Sequence, residues 1–518
     1  MNGSRKQASP YPISSVLQPS LGKFPNFQLR PPGDTNQAKL NLRAQGMGSQ
    51  SVPGASQAGI GGPDVRFLLH HGTMGFSVPD YTEALKLGWS AWLEQQLDPS
   101  SINDSEVDAN LSLLQTLEMS SSQLLATYPG EFVNQVVIEL QIAVLLRAVY
   151  SKRQLYERMV TFWTDHFNVS QLDDLCLWTK TVDDREVARA HALGTFPELL
   201  KASARSPAML WYLDNYANGV GAAQENYARE LMELHTLGVD GPYNENDVKE
   251  VARCFTGWTI AGIGGPGIPG EFSFSPQVHD TGEKTVLGVT IPAGGGITDG
   301  ERVLEILSTH PKTAEFISRK VCRWLLMYDP PVDLVRKVTT VYLHTGGEIK
   351  QMIRAILDPD VVARIPVEQR TKFRQPLHTV IALLRAAQIS STDLLQITFD
   401  SQLIGQTPYW WPTPDGPPDS LAKWGGSVLP RWEFASRLFA GQINGNIPST
   451  QVLNELLLSA PGATTSAERI NWLLTGGLLQ DQDMDQVQAY LDAQPTLSQH
   501  VLREALALAA SSPSFQFI

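Results

Sequence analysis

The sequence predicts an all-α protein: one large multi-helix domain from about residue 64, with a small β-hairpin insert near 271–291 and a disordered N-terminal tail. Three observations carry this. Beyond Val65, apolar residues recur at three- and four-residue spacing through most of the chain. Breakers and caps punctuate that rhythm, among them Asp98-Pro99, Gly238 and Asn244. Residues 1–63 instead run in Pro, Gly, Ser, Gln and Asn, too poor in apolar surface to offset the entropy of ordering.

Each element follows from its local pattern. Tyr81 to Leu97 places Leu85, Trp89, Trp92 and Leu93 on one stripe. Helices follow at 132–150 and 153–167, the second with Leu155, Met159, Phe162, Trp163 and His166 on one face. Further helical segments fall at 183–192, 195–204, 207–214 and 224–237, with Gly238 as the left-handed stop. Asn244 and Asp247 have the spacing of a reciprocal cap for 245–257. Phe272 and Phe274 alternate and 286–291 is a short apolar run, which predicts the β element. Helices resume at 300–308, 312–327, 331–344, 348–357 and 369–387. An irregular insert with five prolines spans 406–429. Four more helices close the chain near 430–440, 449–459, 465–476 and 480–510, the last broken near Pro495.

Composition narrows the function classes. The formal charge is −13, while residues 1–60 carry six basic side chains and one acid. The body is therefore strongly acidic, which argues against a nucleic-acid partner. Cys176, Cys254 and Cys322 are widely spaced in apolar helical surroundings and read as buried thiols. Polar residues interrupt the longest apolar stretch, Val133 to Tyr150, so it reads as a buried helix and no membrane span is expected. The start shows no apolar core of a secretory signal, and the compartment stays open.

Three clusters have the residue types for chemistry. His166 points inward and needs either a hydrogen-bond partner or a metal. Glu230 and Glu233 lie about one turn apart on one face, with Arg229 beside them. Such carboxylates can hold a divalent cation or divide acid and base roles; Arg229–Glu233 can equally be a plain i,i+4 pair. His279-Asp280-Thr281-Gly282 sits in the irregular insert, either as further ligands or as a turn in which Asp280 bonds backbone two residues on and Gly282 supplies positive φ. Together His166, Glu230, Glu233, His279 and Asp280 form a candidate shell for a divalent transition metal such as Mn, Fe or Zn, with Glu230 and Glu233 as candidate catalytic groups. Tyr409-Trp410-Trp411-Pro412 is either a stacking platform or a loop pinned by buried indoles. No phosphate-binding loop, nucleophile elbow or HExxH pair is present.

Several blocks occur together and in order: Phe162–Ser170, Glu225–Gly238, Asp247–Trp258, His279–Gly288, Gly405–Gln406, Pro414–Gly416 and Ser512–Gln516. Through them the chain, over about residues 64–518, resembles the bacterial domain of unknown function 1800 family. The resemblance implies a helical protein, often exported, whose gene frequently neighbours that of a sulfatase-like protein. Two departures stand out. The family's basic start is replaced by Leu69-His70-His71-Gly72-Thr73-Met74-Gly75, and Thr164-Asp165 stands where relatives carry His and Asn. Two functions remain open: a metal- or carboxylate-dependent hydrolytic enzyme, or a non-catalytic scaffold or partner of the sulfatase-like protein. An enzyme should gather the five named side chains in one pocket; a scaffold need not.

Overall fold

Helices form where apolar periodicity and caps coincide. In the computed structural model, residues 64–518 are described except 222, 367–371, 390–393, 444–447, 449–451 and 455–464. The tail expected over 1–63 and most of the helix expected at 449–459 lie outside the described residues. Val133–Tyr150, Gln154–His166, Phe196–Arg205, Pro207–Tyr212, Glu245–Cys254, Ile297–Thr309 and Pro311–Leu325 are helices close to their expected bounds. The Asn244–Asp247 reciprocal cap is present, each side chain accepting from the other's backbone N–H. The C-terminal pair is Asp481–Asp492 and Gln499–Ala510, separated around Pro495 as its ring requires.

Three local readings are corrected. The stretch expected as one helix from Tyr81 is two, Val78–Leu87 and Trp89–Leu97, because Gly88 takes φ +80° between them. Leu85 is consequently 54% exposed, whereas Trp89, Trp92 and Leu93 are buried. Second, Asp184–Arg189 and Leu231–Thr236 are π-helical. Their wider turns break the 100° wheel, on which Tyr227, Leu231 and Leu234 fall opposite Glu230 and Glu233: Met232 is buried and Leu234 only half-buried. Third, the insert holds two antiparallel hairpins. Strand β1 (Trp258–Ile260) pairs with β2 (Phe272–Phe274), and β3 (Lys284–Val286) with β4 (Val289–Ile291). Leu287 and Gly288 both have positive φ, as the tight two-residue turn of β3–β4 demands.

The helices pack around two main hydrophobic cores. The first is built mainly by residues 155–365 together with Leu68–Leu97. The second centres on Val133–Tyr150 and Pro376–Ala386 and includes the C-terminal helices. By length and composition Gly130–Tyr150 is apolar enough to cross a membrane, contrary to expectation, but 67% of its apolar window is buried. It packs against Cys176–Asp183, Pro376–Ala386 and Leu394–Ile404, so its apolar surface is spent inside the second core. The chain's last residue pairs with residue 372, Ile518 and Lys372 exchanging backbone hydrogen bonds of 2.8 and 2.9 Å. This draws Phe515 into the core and fixes the short segment that enters the Pro376–Ala386 helix.

Candidate functional site

The five side chains expected to form one shell occupy three neighbourhoods. His166 is buried, and both its ring nitrogens are engaged. Its Nε2–H donates to the His235 carbonyl at 3.1 Å, and its Nδ1 accepts from Lys320 Nζ at 2.8 Å. A carbonyl only accepts and an ammonium only donates, so the two bonds together require the neutral Nε2–H tautomer. Burial and the Lys320 charge agree, holding the imidazole well below its usual pKa. No lone pair is left for a metal. His166→Ala should therefore cost about 1–3 kcal/mol by orphaning the Lys320 ammonium and the His235 carbonyl. Urea denaturation measures this, and an unchanged midpoint would remove the structural assignment.

Glu233 pairs with Arg229 at 3.6 Å, and Arg229 also grips Glu245 at 2.9 and 2.7 Å. Glu230 is half-buried and makes no hydrogen bond or ion pair to the described residues; burial and the neighbouring Glu233 charge push its carboxyl up. Neither carboxylate joins His166.

His279 and Asp280 are tied into the insert. His279 Nδ1 meets the Thr256 carbonyl at 2.8 Å and Nε2 meets Asp299 at 3.1 Å, while Lys284 holds the same Asp299 oxygen at 2.6 Å. Asp280 takes two bonds from Arg253, at 2.8 and 3.1 Å, and one from the Gly282 N–H at 2.9 Å. The Arg253 guanidinium holds its carboxyl down at about 2. The Asp280 turn forms as expected, without the positive φ expected of Gly282. Asp247, expected only to cap, also accepts from Leu287 N–H at 2.9 Å and anchors the β3–β4 turn. These groups are locked in structural bonds, and among the described residues no three His, Cys, Asp or Glu side chains cluster to hold a metal.

A different set of residues surrounds open space. A cavity of about 50 Å³ lies between the two cores, lined by Thr164, Asp165, Asn168, His378, Gln406 and Tyr409 among others. That is room for a few waters or one small functional group. Its floor is the end of the Gln154–His166 helix, one wall is the start of Pro376–Ala386, and the 406–417 loop closes it. The loop is pinned from several sides. Asn168 donates to the Trp411 and Thr413 carbonyls at 3.1 and 2.8 Å, and Tyr212 OH to the Pro412 carbonyl at 2.9 Å. Gly416 has φ +74° and lies so near the Asp165 carbonyl that a Cβ would collide with it. Tyr409 OH donates to Asp184 at 2.7 Å. Of the two readings of this aromatic segment, the geometry is that of a pinned loop, held by these hydrogen bonds and by buried Tyr409 rather than by buried indoles: Trp410 and Trp411 are only half-buried, and Trp411 borders the cavity.

Three polar atoms on the cavity residues have no partner among the described residues: Thr164 Oγ1, Asp165 Oδ2 and His378 Nε2. His378 Nδ1 accepts from Arg158 Nη1 at 3.1 Å, so its Nε2 carries the hydrogen and is a free donor. Burial and four surrounding cations keep this imidazole neutral. Burial pushes the Asp165 carboxyl up to about 7, against the pull of Lys180 and Lys320. The carboxyl is enclosed by protein yet keeps some accessible surface where it borders the cavity. Sequence reasoning noticed Thr164 and Asp165 only as departures from a family pattern and missed His378. Their helix face reads as a polar, solvated side until a loop 240 residues later covers it.

Fold and site thus define a two-core helical protein with a small, mostly apolar cavity between the cores that a few unpaired polar groups border. A family model described as protein of unknown function (DUF1800) matches residues 67–517, and the chain belongs to this family. No curated protein and no solved structure matches it.

Proposed function

We propose that the protein is a hydrolytic enzyme that works through a buried carboxyl at the inter-core cavity. The observation that carries this reading is the Asp165 carboxyl oxygen, buried beside the cavity without a partner among the described residues and with its pKa pushed up to about 7. A carboxyl poised there exchanges its proton at working pH, as a general acid and base must. In turnover, the Asp165 carboxylate takes a proton from the attacking water as it adds to the carbonyl carbon, and the carboxyl then gives that proton to the leaving oxygen or nitrogen as its bond to the carbonyl carbon breaks, which restores the carboxylate. His378 Nε2–H and the Thr164 hydroxyl are the free groups placed to hold the substrate. A purely scaffolding role offers no return for the cost of keeping a buried carboxyl unpaired. Glu230, displaced from any shell with His166, has no part in this scheme.

The test is a pH titration of the Asp165 carboxyl, followed by carbon NMR or infrared difference with Asp165→Asn as the blank. A midpoint near 7 is expected. A carboxyl that stays ionised down to pH 4 would remove the reading.

A further inference from the structure

Arg158, Lys372, Arg374 and Arg431 are 1–3% exposed and gather behind His378. Hydrogen bonds and rings knit them together. Arg158 bonds His378 and lies over the Trp324 ring at 4.2 Å, with Lys372 over the same ring at 5.6 Å. Arg431 donates to the Arg374 carbonyl at 2.8 Å and covers Phe373 at 4.4 Å. Against these four cations stands one ion-paired carboxylate, Asp419, which takes Lys372 at 2.8 Å and is shared with the more exposed Arg323 at 3.4 Å.

The cluster also has more donors than acceptors. Arg158 Nε, Gln375 Nε2, His378 Nε2 and Arg431 Nη2 are buried with no acceptor among the described residues. Arg374 donates through Nε to the Phe515 carbonyl at 3.0 Å, and its two Nη groups make no bond to the described residues. The Pro376–Ala386 helix begins here, and its N-terminus adds positive potential. Burial and mutual repulsion lower Lys372 to about 8 and Arg374 to about 9, so the charges persist at neutral pH. Four buried cations, with several of their donors idle, outweigh the one ion-paired carboxylate, Asp419, that the described residues set against them.

We infer that this basic cluster binds an oxyanion — a carboxylate, phosphate or sulfate group — through the idle donors of Arg158, Arg374, Gln375, His378 and Arg431. The inference deepens the proposed function and rests on it in one respect: His378 belongs both to the cluster and to the Asp165 cavity, so the anion is the substrate's own acidic group. The substrate class is then a hydrolysable ester or amide carrying that group. The same chemistry also suits a resident inorganic anion, and the experiment separates the two.

Full-length protein is titrated with sodium phosphate, against sodium chloride at matched ionic strength, with thermal melting and calorimetry as readouts. In parallel, the anions released from purified, denatured protein are measured by ion chromatography. A saturable phosphate effect absent with chloride supports an exchangeable substrate group. About one equivalent of released phosphate or sulfate supports a resident ion. Absence of both results overturns the inference. Arg374→Gln should weaken phosphate binding at least tenfold, and unchanged affinity also overturns it. Should that chain not fold, Gln375→Ala replaces it, with a several-fold loss expected and no loss overturning the inference. Asp165→Asn should still bind phosphate, so failure of the carboxyl reading and failure of the anion site are read separately.

Discussion

Asp165→Asn is expected to stabilise the protein above neutral pH. The folded carboxyl titrates at about 7, raised by burial from its ordinary value of 3.8. Between those two values the folded chain binds a proton that the unfolded chain does not, so stability falls as pH rises through this window. Below about pH 4 both states are protonated and the penalty is absent; above about pH 7 it is complete. A shift of this size corresponds to a penalty on the order of 4 kcal/mol. The amide keeps the shape of the carboxyl and cannot ionise, so the advantage of the variant should grow from pH 4 to pH 7 and then level. Denaturant unfolding at pH 4.5, 6 and 8 measures it. A variant equally destabilised at all three values would show that Asp165 is an ordinary ionised carboxylate. Gain of stability with loss of turnover is the signature of a residue kept for chemistry at the expense of the fold.

Arg189→Met should have the opposite effect, of comparable size. Arg189 takes Glu157 with two bonds, at 3.1 and 3.0 Å, and reaches Asp184 through Nε at 2.7 Å. Asp184 lies five residues earlier, and the π-helical turn is what stacks the two side chains. Burial opposes ionisation of Asp184, yet Arg189, Arg147 and the Tyr409 hydroxyl outweigh it and hold the carboxyl below its usual value. Removing Arg189 leaves two buried carboxylates with Arg147, 3.9 Å from Asp184, as the nearest remaining cation. Breaking a buried pair in this way costs about 3–5 kcal/mol. Because Tyr409 holds the 406–417 loop through Asp184, the cavity should loosen as well, seen as faster amide exchange at Tyr409 and Gln171, whose N–H bonds the Tyr409 carbonyl. A loss under about 1 kcal/mol with unchanged exchange would show that the network is not what seals the site.

The sequence by itself determined the class of fold, most helix bounds, the Asn244–Asp247 cap and the inward face of His166. All of these depend on residues within a turn or two of each other, where periodicity and capping act. The 100° wheel fails at Leu234 because a π turn has more residues per turn, and the choice between α and π is made by what packs around the segment. Partners were beyond reach for the same reason. His166 reads as a ligand or a core residue until Lys320, 154 positions away, is seen on its Nδ1. Glu230 and Glu233 share a helix with His235, whose carbonyl meets His166, yet Glu233 pairs with Arg229 and Glu230 makes no bond to the described residues. The cavity belongs wholly to the tertiary structure: Asp165, His378 and the 406–417 loop come from three distant segments, brought together where the two cores meet. Burial of Asp165 and of the four basic side chains behind His378 is what gives these groups unusual protonation and charge, and burial is decided by the fold.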